Sequence, residues 1–171
     1  MNNEITYLDL FSGLGAFAKG LQDAGFFLKD HYFCEVDKYA IANYKFNFKS
    51  AKYVGSIQEV CKQKIPRPDI ITFGSPCQDI SIVANRKGLR GDRSGLFFEA
   101  VKVLGKLKPR VFIFENVQGL LTSNQGKDFE VVLQTIADLG LYECQWQLVN
   151  ISWFLPQSRQ RLYLVGYLRE E

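Results

Sequence analysis

The sequence of 171 residues has few of the side chains on which several enzyme classes depend. It contains a single histidine, His31, which disfavours proteolysis by a Cys-His pair, hydrolysis by a Ser-His-Asp triad and a histidine-rich metal site. Its four cysteines include no Cys-x-x-Cys pair, which argues against a zinc ribbon and a thioredoxin-like redox site. We therefore expect free thiols and no bound metal.

Long apolar runs and a strong net charge are also missing. No stretch approaches the roughly 18 residues that a membrane span needs, and the amino terminus has neither a basic leader nor an apolar segment with a cleavage site. The formal charge of +3 is mildly basic, which is compatible with a nucleic-acid partner without indicating one. With 47% hydrophobic residues, the chain is expected to form one globular domain over 1–171 in the cytoplasm.

Apolar runs alternate with segments of helical periodicity along the chain. The pattern predicts strands at 5–11, 32–37, 53–57, 69–73, 110–117, 142–150 and 162–167, and helices at 16–24, 38–46, 94–107 and 127–139. His31 precedes the second strand, where we expect it to be solvated, and Ser94 is placed to cap the third helix. This order predicts a doubly wound α/β fold, with a mostly parallel sheet and helices on both faces.

One cysteine is distinguished by its position. The apolar run 69–73 ends in Gly-Ser-Pro and Cys77 follows, so this thiol is predicted at the carboxyl end of a buried strand, where open α/β sheets bind ligands. A lone cysteine is usually a small buried hydrophobe. The polar, glycine-containing residues that follow are instead typical of a long loop. We interpret Cys77 as a nucleophilic thiolate at the base of a cationic lid.

The first predicted strand ends in a glycine turn, Ser12-Gly-Leu-Gly15. Glycines at such a turn allow a ligand to approach the backbone, and Glu35, at the end of the next strand, is placed where α/β cofactor folds hold ribose hydroxyls. The spacing from Gly13 to Ala18 also fits the loose G-x-G-x-x-A pattern of NAD-binding domains. The sequence thus indicates a nucleoside-containing cofactor, with NAD as one candidate and an unliganded glycine turn as another interpretation.

Two further groups of polar residues adjoin apolar strands. Glu115 lies near the end of the strand 110–117, and in a parallel sheet it would face the same crevice as Cys77. Arg159 and Arg161 precede the last strand and, at a spacing of two, point to the same side. Each group also has an ordinary interpretation, as a strand-end acid and as solvated arginines at a sheet edge.

Together these segments resemble the cytosine-5 DNA methyltransferases. Asp9-Leu-Phe-Ser-Gly-Leu-Gly15 is similar to the first motif of that family, Pro76-Cys-Gln78 to the catalytic one, Glu115-Asn-Val117 to the acidic one and Gln157-Ser-Arg-Gln-Arg161 to the arginine one. The run 91–97 adds a fifth match, and the matches follow the family's order over essentially the whole chain. The resemblance implies a Rossmann-like fold that binds S-adenosylmethionine, so the NAD interpretation loses support.

The resemblance also implies a reaction and its side chains. Cys77 would add to C6 of a flipped cytosine so that C5 can accept the methyl group. Glu115 would contact N3 and the exocyclic amine, while Arg159, with Arg161 as the less certain partner, would hold the carbonyl oxygen and the glutamate. The loop after Cys77 would close over DNA. The loop residues implied in DNA contacts are Gln78, Ser81, Arg86, Lys87, Arg90 and Arg93.

The family further implies a site for the methyl donor. Phe11 would lie against the adenine, Glu35 would take the ribose hydroxyls and Val36 would meet the adenine edge. The remaining implied donor residues are Asp9, Ser12, Gly13, Gly15, Ser56, Ile57 and Pro76. Relatives usually carry an acid where this chain has Ser56, and we expect weaker donor binding because a hydroxyl accepts the bond from the adenine amine without charge assistance. Ser75, where an aromatic is common, is a second departure.

Complete members of the family continue into a target-recognition region and two further motifs that this sequence does not contain. We expect a second polypeptide to supply them, with DNA as the substrate and with no membrane or metal involved. Three alternatives stay open: a truncated remnant that binds only the donor or a partner, a tRNA cytosine-5 methyltransferase, and an NAD-binding module.

Overall fold

The computed structural model describes residues 3–75 and 95–169, and its centre is a seven-stranded sheet. The strands are β1 Glu4–Leu10, β2 Phe27–Cys34, β3 Lys52–Tyr53, β4 Ile70–Phe73, β5 Val111–Val117, β6 Tyr142–Asn150 and β7 Gln160–Leu168. Their order across the sheet is β3-β2-β1-β4-β5-β7-β6. Strands β1 to β5 are parallel, whereas β7 is antiparallel to both of its neighbours.

Helices lie on both faces of this sheet. They are α1 Ala16–Asp23, α2 Lys38–Asn47, α3 Ile57–Val60, α4 Leu96–Leu107 and α5 Lys127–Ala137, with short 3-10 turns at Gln118–Leu121, Ser123–Gly126 and Ile151–Trp153. None of the helices in the described ranges is long and apolar enough to cross a membrane.

Alternate residues of each central strand pack into two separate hydrophobic cores. In β1, Leu8 and Leu10 pack in a large cluster with α3, α4 and α5, while Ile5 and Tyr7 join a smaller cluster with α1 and α2. Because successive side chains of a strand point to opposite faces, this division confirms the predicted doubly wound arrangement. All four residues of β4 are buried, as a central parallel strand requires.

The prediction for His31 is wrong. The imidazole is only 2% exposed, and its Nε2 lies 2.7 Å from the hydroxyl oxygen of Tyr44. Strand β2 begins at Phe27, earlier than predicted, because the polar residues before His31 belong to the strand and not to a loop. Helix α4 likewise begins at Leu96 with Gly95 in the capping position that the sequence assigned to Ser94.

Candidate active site

The carboxyl ends of the parallel strands β1, β2, β4 and β5 meet at one edge of the sheet. Strand β1 pairs with β2 on one side and with β4 on the other, so the direction in which the chain builds the sheet reverses between β1 and β4. Open α/β sheets bind ligands outside the carboxyl ends of the strands at such a reversal. Most of the predicted site residues in the described ranges belong to the strand ends and loops at this edge.

Glu115 and Arg161 form an ion pair near the carboxyl end of β5. The Nε atom of Arg161 lies 2.9 Å from Oε1 of Glu115, and each side chain is roughly a quarter exposed. A second bond fixes the guanidinium, because its Nη1 donates to the Gln160 carbonyl oxygen at 2.8 Å. A carboxylate and an oriented cation are therefore presented together at the crevice.

The segment that leads to Cys77 lies directly beside this pair. A Cβ atom built on Gly74 would be 3.0 Å from Oε2 of Glu115, so the backbone of the segment passes close to the carboxylate. One residue further on, the Ser75 carbonyl oxygen accepts a bond of 3.1 Å from Nδ2 of Asn116. The ends of β4 and β5 are thus joined where the thiol was predicted.

Asn116 is a positioning residue that the sequence reasoning missed. Its side chain is buried, and Oδ1 accepts the Val117 backbone N–H at 2.8 Å while Nδ2 holds Ser75. The signal was a polar residue inside an otherwise apolar run, at a position whose neighbours Phe112 and Phe114 on the same face are buried. Buried polar side chains of this kind are retained for the bonds they make.

Arg159 does not reach the acid in the arrangement that the sequence suggested. Its side chain is exposed, and within residues 3–75 and 95–169 no ion pair is formed by it. Its backbone is held instead, since its N–H donates to Oδ1 of Asn150 at 3.3 Å and its carbonyl accepts from Ile151 at 2.9 Å. In this structure it is Arg161 that pairs with Glu115.

On the other side of the crevice, Glu35 connects the loops that follow β1 and β2. Its Oε2 accepts the Gly13 N–H at 2.8 Å, and its Oε1 accepts the N–H groups of Val36 at 2.7 Å and Asp37 at 3.1 Å. A carboxylate has about four acceptor positions, so one remains on Oε2. Glu35 can therefore accept a hydroxyl of a ligand without releasing the backbone. Val36, next to it, is 77% exposed.

The loop after β1 combines constrained backbone with an unsatisfied polar atom. Phe11, half-buried, has a positive φ of 54°, and Gly13 has a φ of 52° with open space where a Cβ would stand. Ser12 is buried, and no partner among the described residues bonds its hydroxyl oxygen. Gly15 has a φ of +88°, and a Cβ there would overlap the ring of Phe48.

Two predicted donor residues do not face the crevice. Asp9 is 1% exposed, and its carboxylate accepts bonds from Thr72 at 2.9 Å and Tyr44 at 3.0 Å. Burial raises the pKa of Asp9 to about 7, although the hydroxyl donors lower it. Ile57 is part of the large core. Both side chains therefore support the elements that carry the crevice, whereas the family resemblance implied that they bind the donor.

Several predicted site residues lie outside the described residues. They are Pro76, Cys77, Gln78, Ser81, Arg86, Lys87, Arg90 and Arg93.

Of the cysteines that the structure describes, Cys34 is buried at the end of β2, and burial raises the pKa of its thiol to about 12. Because the thiolate is the reactive form, Cys34 is unsuited to nucleophilic attack. Cys144 belongs to β6 at the far edge of the sheet, away from the crevice.

A second cleft, of about 870 Å³, lies at the opposite end of the sheet, where β4 and β5 begin. Its basic lining residues are Arg67, Lys108, Arg110 and Arg169. It is separated from Glu115 by the length of β5 and takes no part in the site described above. In the described ranges no group of three or more His, Cys, Asp or Glu side chains could hold a metal ion.

Solved structures share this architecture. The crystal structure of a prophage-encoded protein of E. coli, described as a DNA modification methyltransferase, superimposes with a TM-score of 0.75 and 25% identity over 96% of this chain and 47% of that one. The S. pombe Dnmt2 methyltransferase gives a TM-score of 0.70 with 23% identity over 98% of this chain and 52% of its own. The fold is therefore the Rossmann-like α/β fold of methyltransferases.

The sequence comparison defines the family. The model of the C-5 cytosine-specific DNA methylases matches residues 5–171, and the chain belongs to that family. It is 35% identical over 171 residues to the orphan methyltransferase M.SPRI of Bacillus phage SPR, and 37% identical over 161 residues to the type II methyltransferase M.NgoBI of Neisseria gonorrhoeae. The match covers 98% and 94% of this chain but only 38% and 50% of those proteins.

Proposed function

We propose that this chain is the catalytic part of a DNA (cytosine-5-)-methyltransferase, which transfers a methyl group from S-adenosylmethionine to C5 of a flipped cytosine through a covalent adduct with Cys77. One observation carries the proposal. The ion pair of Glu115 and Arg161 lies at the carboxyl end of β5, directly beside Gly74 and Ser75, and Cys77 is the second residue after Ser75.

The chemistry requires a nucleophile, an acid and a cation around one pyrimidine. The Cys77 thiolate forms a bond to C6, and the electron pair of the C5–C6 double bond becomes available at C5. Glu115 gives a proton to N3, where negative charge develops, and accepts a hydrogen bond from the exocyclic amine, while Arg161 orients Glu115 and faces the carbonyl oxygen. After C5 has taken the methyl group, solvent water accepts the C5 proton, N3 returns its proton to Glu115, and the C6–S bond breaks, which releases the thiolate and restores the C5–C6 double bond.

The described residues fit S-adenosylmethionine, which supplies a methyl group on a sulfonium that leaves as a neutral thioether. Glu35 keeps one free acceptor position for a ribose hydroxyl, and exposed Val36 lies beside it for the adenine. The unsatisfied hydroxyl oxygen of Ser12 supports a polar group of the ligand in the turn from Ser12 to Gly15. Phe11, in the same loop, is proposed to place its ring against the adenine.

DNA is the proposed substrate, and a second polypeptide is the proposed partner. The target base must leave the stack because C5 and C6 are inaccessible within a duplex, at a few kcal/mol of unstacking. The loop residues from Gln78 to Arg93 are proposed to contact the DNA. A partner is supported by the exposed tip after β6, where Trp153, Phe154 and Leu155 are 60%, 75% and 59% exposed.

Trapping on DNA tests the proposal. A duplex that carries 5-fluorocytosine blocks release of the enzyme, because fluorine replaces the proton that must leave C5. The chain is incubated with this duplex and S-adenosylmethionine, alone and with the product of a neighbouring gene that carries the missing motifs. We expect a covalent species by denaturing electrophoresis, and its loss in Cys77→Ala.

The alternatives predict different results in the same assay. A remnant without activity gives no adduct and no gain from the partner, although it still binds the donor. A tRNA methyltransferase transfers labelled methyl groups to tRNA, and tRNA outcompetes duplex DNA. An adduct that persists in Cys77→Ala would remove Cys77 from its proposed role.

A further inference from the structure

One apolar face shared by β5 and β7 is only partly covered. Every residue of β4 is buried, but in the neighbouring strand β5 buried residues alternate with half-buried ones. The half-buried Val111 and Ile113 lie opposite Tyr167 and Val165 of β7, and Tyr167 is 49% exposed. A sheet buries an apolar face against another layer of structure. Among the described residues, no layer completes that burial on this face.

The cleft of about 870 Å³ at the amino ends of β4 and β5, the basic cleft, continues from this face. Val111 and Tyr167 belong to both, and Leu141 and Leu168 add to the apolar part of the lining. The rest of the lining is cationic, and among the described residues no acid contributes to it. The cations come from the loop before β4, the end of α4, the start of β5 and the end of β7. They are Arg67, Lys108, Arg110 and Arg169.

Hydrogen bonds of the fold hold these cations at the cleft. The Arg110 carbonyl oxygen accepts the Leu168 N–H at 2.9 Å, and the Arg169 N–H donates to the carbonyl oxygen of the residue before β6 at 2.9 Å. Arg67 is held through its side chain, because its Nε donates to the Lys108 carbonyl oxygen at 2.8 Å. The fold therefore brings positive charge from four separate segments to one place.

Little negative charge offsets these cations. Oδ1 of Asp69 lies 3.9 Å from Nη1 of Arg110, which is too long for a hydrogen bond. The other oxygen of Asp69 accepts the Thr6 backbone N–H at 2.9 Å. In the part of the chain that the structure describes, none of the other three cations forms an ion pair. The basic cleft thus concentrates positive charge that attracts an anionic partner.

The lining of the cleft matches a polypeptide better than a nucleic acid. A double helix presents phosphates and sugars on its outside, so it would leave Val111, Leu141 and Tyr167 without apolar contacts. A polypeptide segment with both acidic and apolar side chains pairs its carboxylates with the guanidinium groups and buries its apolar side chains against the sheet. Polypeptide is also what this chain lacks relative to similar proteins, since it matches only 38% of M.SPRI and 50% of M.NgoBI.

We propose that the basic cleft and the adjoining face of β5 and β7 form the docking surface for an acidic, amphipathic segment of the second polypeptide. Carboxylates of that segment pair with the four cations of the cleft, while its apolar side chains cover Val111 and Tyr167. The inference rests on the proposed function, because it requires the second polypeptide. It adds a contact at the end of β7 opposite to the exposed tip that follows β6.

Binding of the second polypeptide tests the inference. The product of the neighbouring gene that carries the missing motifs is titrated into the chain by calorimetry, at low and at high salt. We expect the dissociation constant of the complex to rise about tenfold or more in Arg110→Glu with Arg169→Glu, because like charges then face each other. The salt dependence should weaken in the same variant. Tyr167→Ser removes an apolar contact and should raise the constant about threefold or more without changing the salt dependence.

Two controls accompany these variants. Lys45→Glu with Lys49→Glu reverses two exposed cations in and after α2, away from the basic cleft, and should leave the dissociation constant of the complex within about twofold. Every variant should bind S-adenosylhomocysteine as tightly as the wild type, which shows that it is folded. A loss in the lysine variant equal to that in the arginine variant would mean that net charge alone acts, and would overturn the inference.

Cross-linking identifies the group that enters the cleft. A carbodiimide joins an amine to a carboxylate as an amide, and the water that is lost converts the carbodiimide to a urea. We expect mass spectrometry to find Lys108 linked to an Asp or Glu of the second polypeptide, and Lys108→Arg to lose that link while it keeps the charge. Links from Lys108 only to another copy of this chain would overturn the inference.

The remaining outcomes separate the inference from the proposed function. If the two arginine reversals weaken binding of a fluorescein-labelled DNA duplex and leave the complex unchanged, the cleft binds DNA and the inference is wrong. A complex that none of these variants weakens also overturns the inference, while an adduct formed by Cys77 leaves the proposed reaction standing. A wild type that forms no complex with the second polypeptide overturns the proposed partner together with the inference.

Discussion

Arg161 and Glu115 are diagonal neighbours across β7 and β5. In the antiparallel register Glu115 lies opposite Tyr163 and Arg161 lies opposite Val117, so both charged side chains emerge on the same face, where they meet at 2.9 Å. The second bond of the guanidinium, to the Gln160 carbonyl, restricts its rotation. The cation is therefore oriented before a substrate arrives.

We predict that Arg161→Ala slows formation of the adduct on 5-fluorocytosine DNA by about 10²- to 10³-fold, the loss typical of removing one oriented group that stabilises developing charge. Arg161→Lys should recover little, because lysine lacks the planar, rigid guanidinium that makes both bonds in a fixed orientation. Single-turnover trapping measures the rates. Arg159→Ala is the matched control and should slow the reaction less than tenfold. A larger loss in Arg159→Ala than in Arg161→Ala would contradict the assignment.

Asn116 provides a second prediction, because its amide connects the ends of β4 and β5. Asn116→Leu removes both bonds and leaves the Ser75 carbonyl and the Val117 N–H without their partner, which should lower the free energy of unfolding by about 1–3 kcal/mol. Adduct formation should slow while the dissociation constant for S-adenosylhomocysteine stays within twofold. Thr122→Ala, which removes an exposed bond to Gly119, is the control for denaturation and trapping. An adduct rate equal to that of the wild type would show that Asn116 does not position the catalytic segment.

The buried pair Asp9 and His31 predicts a particular dependence of stability on pH. Burial raises the pKa of Asp9 to about 7 and lowers that of His31 to about 4. The contribution of Asp9 to the free energy of unfolding is complete below pH 4 and is lost as the pH rises towards 7. The contribution of His31 is complete above pH 6.5 and is lost as the pH falls towards 4. Over pH 4 to 6.5 the two contributions oppose each other.

When one of the two groups is removed, the free energy of unfolding should therefore vary with pH as the remaining group dictates. We expect the stability of Asp9→Asn to rise, and that of His31→Gln to fall, as the pH increases from 4.5 to 6.5, when each is compared with the wild type. For Asp9 the full range corresponds to about 4 kcal/mol at most. Urea unfolding at several pH values measures both slopes. Curves parallel to that of the wild type would show that neither group titrates as described.

The two glycines of the loop after β1 should differ in their sensitivity to substitution. Gly15→Ala combines a φ of +88° with overlap against Phe48 and should lower the free energy of unfolding by about 2–4 kcal/mol. Gly13→Ala meets open space at a φ of +52° and should lower it by only about 1 kcal/mol. Denaturant titrations of both variants measure the difference. Equal losses would indicate that backbone conformation alone explains both positions.

Much of the fold could be predicted from sequence because the central strands are short apolar runs that end in glycine or an acid. Strand β4, and the meeting of its end with Glu115, follow from that pattern. The burial of His31 could not be predicted in this way, since it depends on Tyr44 from a helix 13 positions later. The roles of Arg159 and Arg161 depend on the register of β7 against β5, which a spacing of two residues does not determine.

The three backbone bonds that Glu35 accepts have a consequence for how a ligand enters. They are made by the protein's own amides, so the loops after β1 and β2 take their shape when the chain folds and not when a nucleoside arrives. The conformational entropy of these two loops is therefore already lost on folding, and a ligand that binds there meets a preorganised site. Empty and loaded forms should superimpose closely at residues 11–15 and 35–37.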